Sequence, residues 1–66
     1  MPVVTFEAAK LNIEQKRQLV AEFTETASRI TGLSKETIFV FLKENSADNV
    51  GVGGVLLSEK HSNNEA

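Results

Sequence analysis

Cysteine, tryptophan and tyrosine are absent from the 66 residues, and proline and histidine occur once each, as Pro2 and His61. Without cysteine there is no disulfide, and one histidine with carboxylates does not make a structural zinc site, so no metal is expected. A chain near 60 residues buries only about 60% of the surface its unfolded form exposes, and domains of this size lean on disulfides, metals or association. Association is the route left open. Apolar runs of the ~18 residues that a membrane span needs are also missing. Met1-Pro2-Val3-Val4-Thr5 lacks the charged start and cleavage pattern of a signal peptide, so a cytoplasmic chain without membrane contact is expected. Seven basic residues stand against nine acidic ones, for a net charge of -2, and the basic ones are scattered. That excludes the clustered Lys/Arg surface by which proteins read nucleic acid.

What is present divides into clear segments. Val3 to Ala8, VVTFEA, alternates Val4, Phe6 and Ala8 against Val3, Thr5 and Glu7, which predicts a strand. Asn12 followed three residues later by Gln15 is a capping-box pattern that starts a helix at about Ile13. Leu19, Val20, Phe23, Ala27 and Ile30 then recur at helical spacing, and Gly32 ends the helix after about 19 residues. Ser34-Lys35-Glu36-Thr37 reads as a turn or a single helical turn. Thr37 to Lys43, TIFVFLK, reads as a strand apolar on both faces, Ile38, Val40 and Leu42 on one, Phe39 and Phe41 on the other.

Strand, helix and strand make a right-handed βαβ unit with parallel strands in an α+β fold. One helix covers one face of that sheet. The second face must be covered by another subunit, through paired sheets. After the polar loop Glu44 to Asn49, Val50-Gly51-Val52-Gly53-Gly54-Val55-Leu56-Leu57 predicts a glycine-rich hairpin; it lacks the GxGxxG or Gly-Lys-Ser/Thr spacing of a phosphate loop. The expected organisation is one domain over residues 1–57, with 58–66, SEKHSNNEA, as a frayed and flexible tail.

Few residues offer chemistry. His61 in a polar tail lacks the fixed geometry of a catalytic base, and a Ser/His/Asp set or a cysteine nucleophile cannot be assembled. Glu7, Glu14 and Glu44 are carboxylates without a marked pairing. Pro2 is different: removal of Met1 frees a secondary amine fixed in a ring. Buried beside apolar groups such as Phe39, Val50 or Val52 of another subunit, that amine would lose affinity for its proton and could accept one near neutral pH. The plainer alternative is that Pro2 only begins an edge strand, where a missing N–H costs nothing.

Pro2, the VVTFEA strand, Glu14-Gln15-Lys16 at the helix start and Val50-Gly51-Val52-Gly53-Gly54 together resemble the 4-oxalocrotonate tautomerase family, from Pro2 to about Leu57. The resemblance implies a cofactor-independent tautomerase, a homo-oligomer built as a trimer of dimers, in which the processed N-terminal proline, here Pro2, shuttles a proton in enol–keto conversion of small 2-hydroxydienoate or 2-oxo acids. It also locates the substrate contacts. Lys10 is the cation nearest to a family arginine after the first strand, Phe39 aligns with a second family arginine, and Val50 with an apolar wall residue. Lysine is a point charge and phenylalanine carries none, so Lys10 and Lys43 are the candidates to orient one substrate carboxylate, or else are solvated surface charges. The competing expectations are a non-catalytic scaffold or ligand-binding module on the same fold, and another proline-based reaction such as dehalogenation, hydration or decarboxylation.

Overall fold

The computed structural model describes residues 1–64, with side chains from Met1 to Lys60; the His61 side chain and residues 65–66 of the expected tail lie outside the described residues. β1 (Val3–Ala8) leads through a short connection to α1 (Ile13–Thr31), and β2 (Phe39–Glu44) returns beside β1 in parallel, with Val3 opposite Phe39 and Ala8 opposite Glu44. The βαβ unit is as the sequence predicts. α1 begins where the capping box places it: Asn12 Oδ1 accepts from the Gln15 N–H at 2.8 Å, and the Gln15 side chain accepts from the Asn12 N–H at 3.0 Å. Gly32 ends it at φ 78°, a left-handed conformation that a Cβ would oppose.

Two boundaries differ from expectation. The second strand starts at Phe39, not at Thr37, because the Thr37 and Ile38 N–H groups are taken by the Ser34 and Lys35 carbonyls in a 3₁₀ turn, Lys35–Thr37. Leu57–Asn64, most of it read as a frayed tail, forms a helix, α2. Apolar periodicity could not reveal α2, whose first residue is instead held by a backbone bond from the Leu57 N–H to the Val50 carbonyl at 2.7 Å. Between β2 and α2 a 3₁₀ turn (Ala47–Asn49) precedes the expected hairpin, β3 (Gly51–Val52) and β4 (Val55–Leu56). Gly53 and Gly54, at φ 62° and 87°, form its two-residue turn, and two successive positive φ values suit the type I′ class.

α1 lies on the Val4, Phe6, Ala8, Val40 and Leu42 face, and the Phe6 and Phe23 rings meet with centroids 5.5 Å apart. Leu19, Phe23 and Ala27 of the apolar stripe are half-buried there, whereas Val20 and Ile30 point away and are exposed. Among the described residues only Ile38 is buried, at 9% exposure. Val3, Phe39 and Phe41 crowd the opposite face and stay 50%, 44% and 50% exposed. The radius of gyration of 15.5 Å exceeds the about 11 Å of a compact chain of this length. The subunit is therefore an open layer, one helix on one face of a two-stranded sheet, with most of its large apolar side chains still accessible. No helix of the described residues is long and apolar enough to cross a membrane.

Candidate active site

Because β1 and β2 run in the same direction, each end of the sheet collects a different set of residues. At the leading end Pro2 is half-buried, and its carbonyl accepts the Phe39 N–H at 3.0 Å, which fixes the aromatic residue beside it. Met1 projects beyond, 80% exposed. The 3₁₀ turn that precedes Phe39 is tied to α1 by an ion pair, Lys35 Nζ to Glu25 Oε1 at 2.9 Å. That shared hydrogen bond holds the Glu25 carboxyl below its ordinary range and raises the Lys35 ammonium above its own, although both side chains are exposed.

The trailing end is polar and clamped. The Asn45 N–H donates to the Ala8 carbonyl at 2.8 Å, and Asn45 Nδ2 to Glu7 Oε1 at 3.0 Å. Glu44 Oε2 accepts the Leu11 N–H at 2.9 Å and meets Lys16 Nζ at 3.1 Å. Those two donors, the Leu11 amide first, hold the Glu44 carboxyl below its ordinary range, with the charges of Lys16 and Lys10 adding to the effect. Lys10 stands exposed on the connection that Glu44 grips, and Lys43 is exposed opposite Glu7. Val50, half-buried, lines a concavity of about 320 Å³ with Ala8, Ala9, Ala47 and Leu57. Glu7 and Asn45 form its polar rim.

Of the five residues singled out from sequence, the structure therefore brings Pro2 and Phe39 together and places Lys10, Lys43 and Val50 toward the other end of the sheet. Six residue-to-residue steps along the strand separate Pro2 from Ala8, about 20 Å at ~3.3 Å per step. A single subunit does not put the candidate base within reach of the candidate carboxylate holders. Sequence reasoning passed over Glu44 and Asn45 as structural partners. The available signal was their place at the end of β2, level with the end of β1 in a parallel pair and so beside the connection that follows it.

A short parallel βαβ unit opening on a proline, closed by a glycine hairpin and leaving one sheet face bare, defines a small class of proteins. The sequence model of the tautomerase enzyme family matches residues 2–60, and the chain belongs to that family. It is 42% identical over 60 residues to the 2-hydroxymuconate tautomerase of Bacillus subtilis strain 168, covering 89% of this chain and 97% of that protein. A solved 4-oxalocrotonate tautomerase homologue superposes with a TM-score of 0.82 at 39% identity, over 91% of this chain and 97% of the other. DmpI from Archaeoglobus fulgidus superposes with a TM-score of 0.78 at 37% identity, over 86% and 98% of the two chains. The fold expected from sequence is thus established, and the chain is an enzyme of the isomerase class, a tautomerase.

Proposed function

We propose that the Pro2 nitrogen, freed by removal of Met1, is the general base of an enol–keto tautomerase acting on 2-hydroxydienoate or 2-oxo acids. The observation that carries this reading is that the family match begins at residue 2, on a half-buried proline whose carbonyl accepts the Phe39 N–H. An amine beside apolar side chains is disfavoured as its ammonium form and is poised to accept a proton. It takes the proton from the 2-hydroxyl, the double bonds shift along the dienolate, and the same proton returns to the distal carbon. Lys10 or a backbone amide steadies the negative oxygens, while Phe39 and Val50 exclude water from the carbon skeleton. Lys43 is the second cation that can meet the substrate carboxylate.

The separation of Pro2 from Lys10 within one subunit, and the bare Val3, Phe39 and Phe41 face, support a site assembled between copies of the chain, with a cytoplasmic trimer of dimers as the arrangement proposed. Pro2→Ala in the processed protein is expected to lower turnover of 2-hydroxymuconate by at least ~100-fold. Intact mass supplies the control: the active protein must be short by one methionine residue. Wild-type turnover by Pro2→Ala, or full activity in protein that retains Met1, would overturn the assignment.

A further inference from the structure

The connection that bears Lys10 is held on both sides by two successive residues, Glu44 at the end of β2 and Asn45 just beyond it. Upstream of Lys10, the Ala8 carbonyl is bound by the Asn45 N–H at 2.8 Å; downstream, the Leu11 N–H is bound by Glu44 Oε2 at 2.9 Å. Beyond Leu11 the chain enters the Asn12 capping box, and one turn into α1 Lys16 returns to the same Glu44 oxygen at 3.1 Å. Lys10 is thereby carried on a span of backbone with little freedom, fixed by β1, β2 and the first turn of α1 together. Its own side chain makes none of the ion pairs found among the described residues.

A carboxylate beside a substrate-binding lysine would ordinarily capture it. Here the Glu44 oxygen already bonds a backbone amide and the Lys16 ammonium, so Lys10 acts on it through charge without an ion pair and its ammonium stays available. We propose that Glu44 is a positioning residue: it fixes the 9–12 connection and so aims Lys10 at the substrate carboxylate. This inference rests on the reading of Lys10 as the carboxylate holder given above. Glu44 itself touches neither substrate nor Pro2, which lies at the other end of the sheet.

The test is steady-state kinetics with 2-hydroxymuconate on the processed wild type, Glu44→Ala, Glu44→Gln, Lys10→Ala and the Glu44→Ala/Lys10→Ala double variant. Loss of ground-state carboxylate orientation predicts a KM about tenfold higher in Glu44→Ala with kcat within about twofold. Glu44→Gln keeps a carbonyl oxygen for the Leu11 amide and should recover KM to within about threefold of wild type. In the double variant Glu44→Ala should add less than about twofold to the KM of Lys10→Ala, since both act on one contact. Amide exchange at Leu11, faster in Glu44→Ala and protected in Glu44→Gln, reads the clamp directly. If Glu44→Ala does not fold, Glu44→Asp, one methylene too short for the Leu11 amide, takes its place with the same expected direction in KM and exchange.

A raised KM in Lys10→Ala alongside an unchanged one in Glu44→Ala overturns the role of Glu44 and leaves the lysine reading standing. An unchanged KM in Lys10→Ala overturns the lysine reading itself, and this inference with it. Full additivity in the double variant would also overturn the proposal, because Glu44 would then act by some route other than Lys10.

Discussion

The two ends of the β1–β2 sheet are built on opposite principles. At the leading end Pro2 meets Phe39 through one backbone hydrogen bond, among Val3, Phe39 and Phe41, whose side chains are about half exposed. At the trailing end Glu44 and Asn45 make three hydrogen bonds and an ion pair to β1, its connection and α1. The polar contacts of the trailing end are completed within one subunit, whereas the apolar surface around the leading end is left open. The contrast fits the chemistry proposed for each: a neutral amine needs dry, apolar surroundings, whereas a carboxylate holder needs a fixed cation in reach of water. The apolar surroundings can come from a second copy of the chain, but the aim of a lysine must be set by its own backbone.

The largest effect should follow from breaking the unfinished end. Phe41→Lys places a charge on the bare face without touching Pro2 or the polar clamp, and burying an unpaired charge under a neighbouring subunit is strongly unfavourable. Sedimentation should then show smaller species than wild type, with turnover down by at least ~10-fold because Pro2 loses its cover. A Phe41→Lys protein that keeps both the wild-type assembly and its turnover would break the comparison, since the leading end would then need no partner.

Much of this architecture is legible in the sequence, for identifiable reasons. The helix announces itself at both ends, by Asn12 with Gln15 and by Gly32, because capping depends on residues a few positions apart. The alternation in VVTFEA likewise fixes which side of β1 meets α1. The start of β2 is less legible: Thr37 and Ile38 have strand-forming side chains, but local 3₁₀ hydrogen bonds to Ser34 and Lys35 take their amides. α2 lacks an apolar stripe, so nothing in its periodicity marks it. For the candidate site, residue types were readable and distances were not. Pro2, Phe39 and Val50 carry a chemical reason for selection and Lys10 and Lys43 are singled out by the family resemblance, yet only the folded chain shows that they occupy two ends of a sheet. Glu44, 33 positions from Leu11 along the chain, is recognised only once the intervening chain is folded back onto it.

A smaller effect is expected at the boundary between the Lys10 connection and α1. Asn12→Ala removes the acceptor for the Gln15 amide, and loss of an N-cap of this kind costs about 1 kcal/mol. Glu44 continues to hold Leu11 in that variant. Chemical denaturation should therefore report the lost stability while KM for 2-hydroxymuconate stays within about twofold of wild type. A KM that rises as far as in Glu44→Ala would shift the positioning role from the carboxylate to the helix cap.

The smallest effect sharpens the comparison through pH. The Glu44 carboxyl is held below its ordinary value of 4.5, first by the Leu11 amide and then by Lys16, so the unfolded chain binds its proton before the folded one does. Its contribution is present above the unfolded pKa and is lost as pH falls through the folded one, loosening the trailing end in acid. Glu25, lowered by Lys35, adds an acid limb at the leading end in the same sense. Lys35 works in the other direction: its pKa is raised above 10.5 by Glu25, so its contribution is complete below the unfolded pKa and is lost as pH rises through the folded one. Thermal melts should therefore lose some acid dependence below about pH 4.5 in Glu44→Gln, while Glu25→Gln should flatten both the acid limb and an alkaline limb above about pH 10.5. All these groups are exposed, so the shifts will be small and should shrink further in high salt. An alkaline limb that survives Glu25→Gln unchanged would argue against the Lys35–Glu25 ion pair as the tie between the turn before Phe39 and α1, and with it against electrostatic support of the Pro2 end.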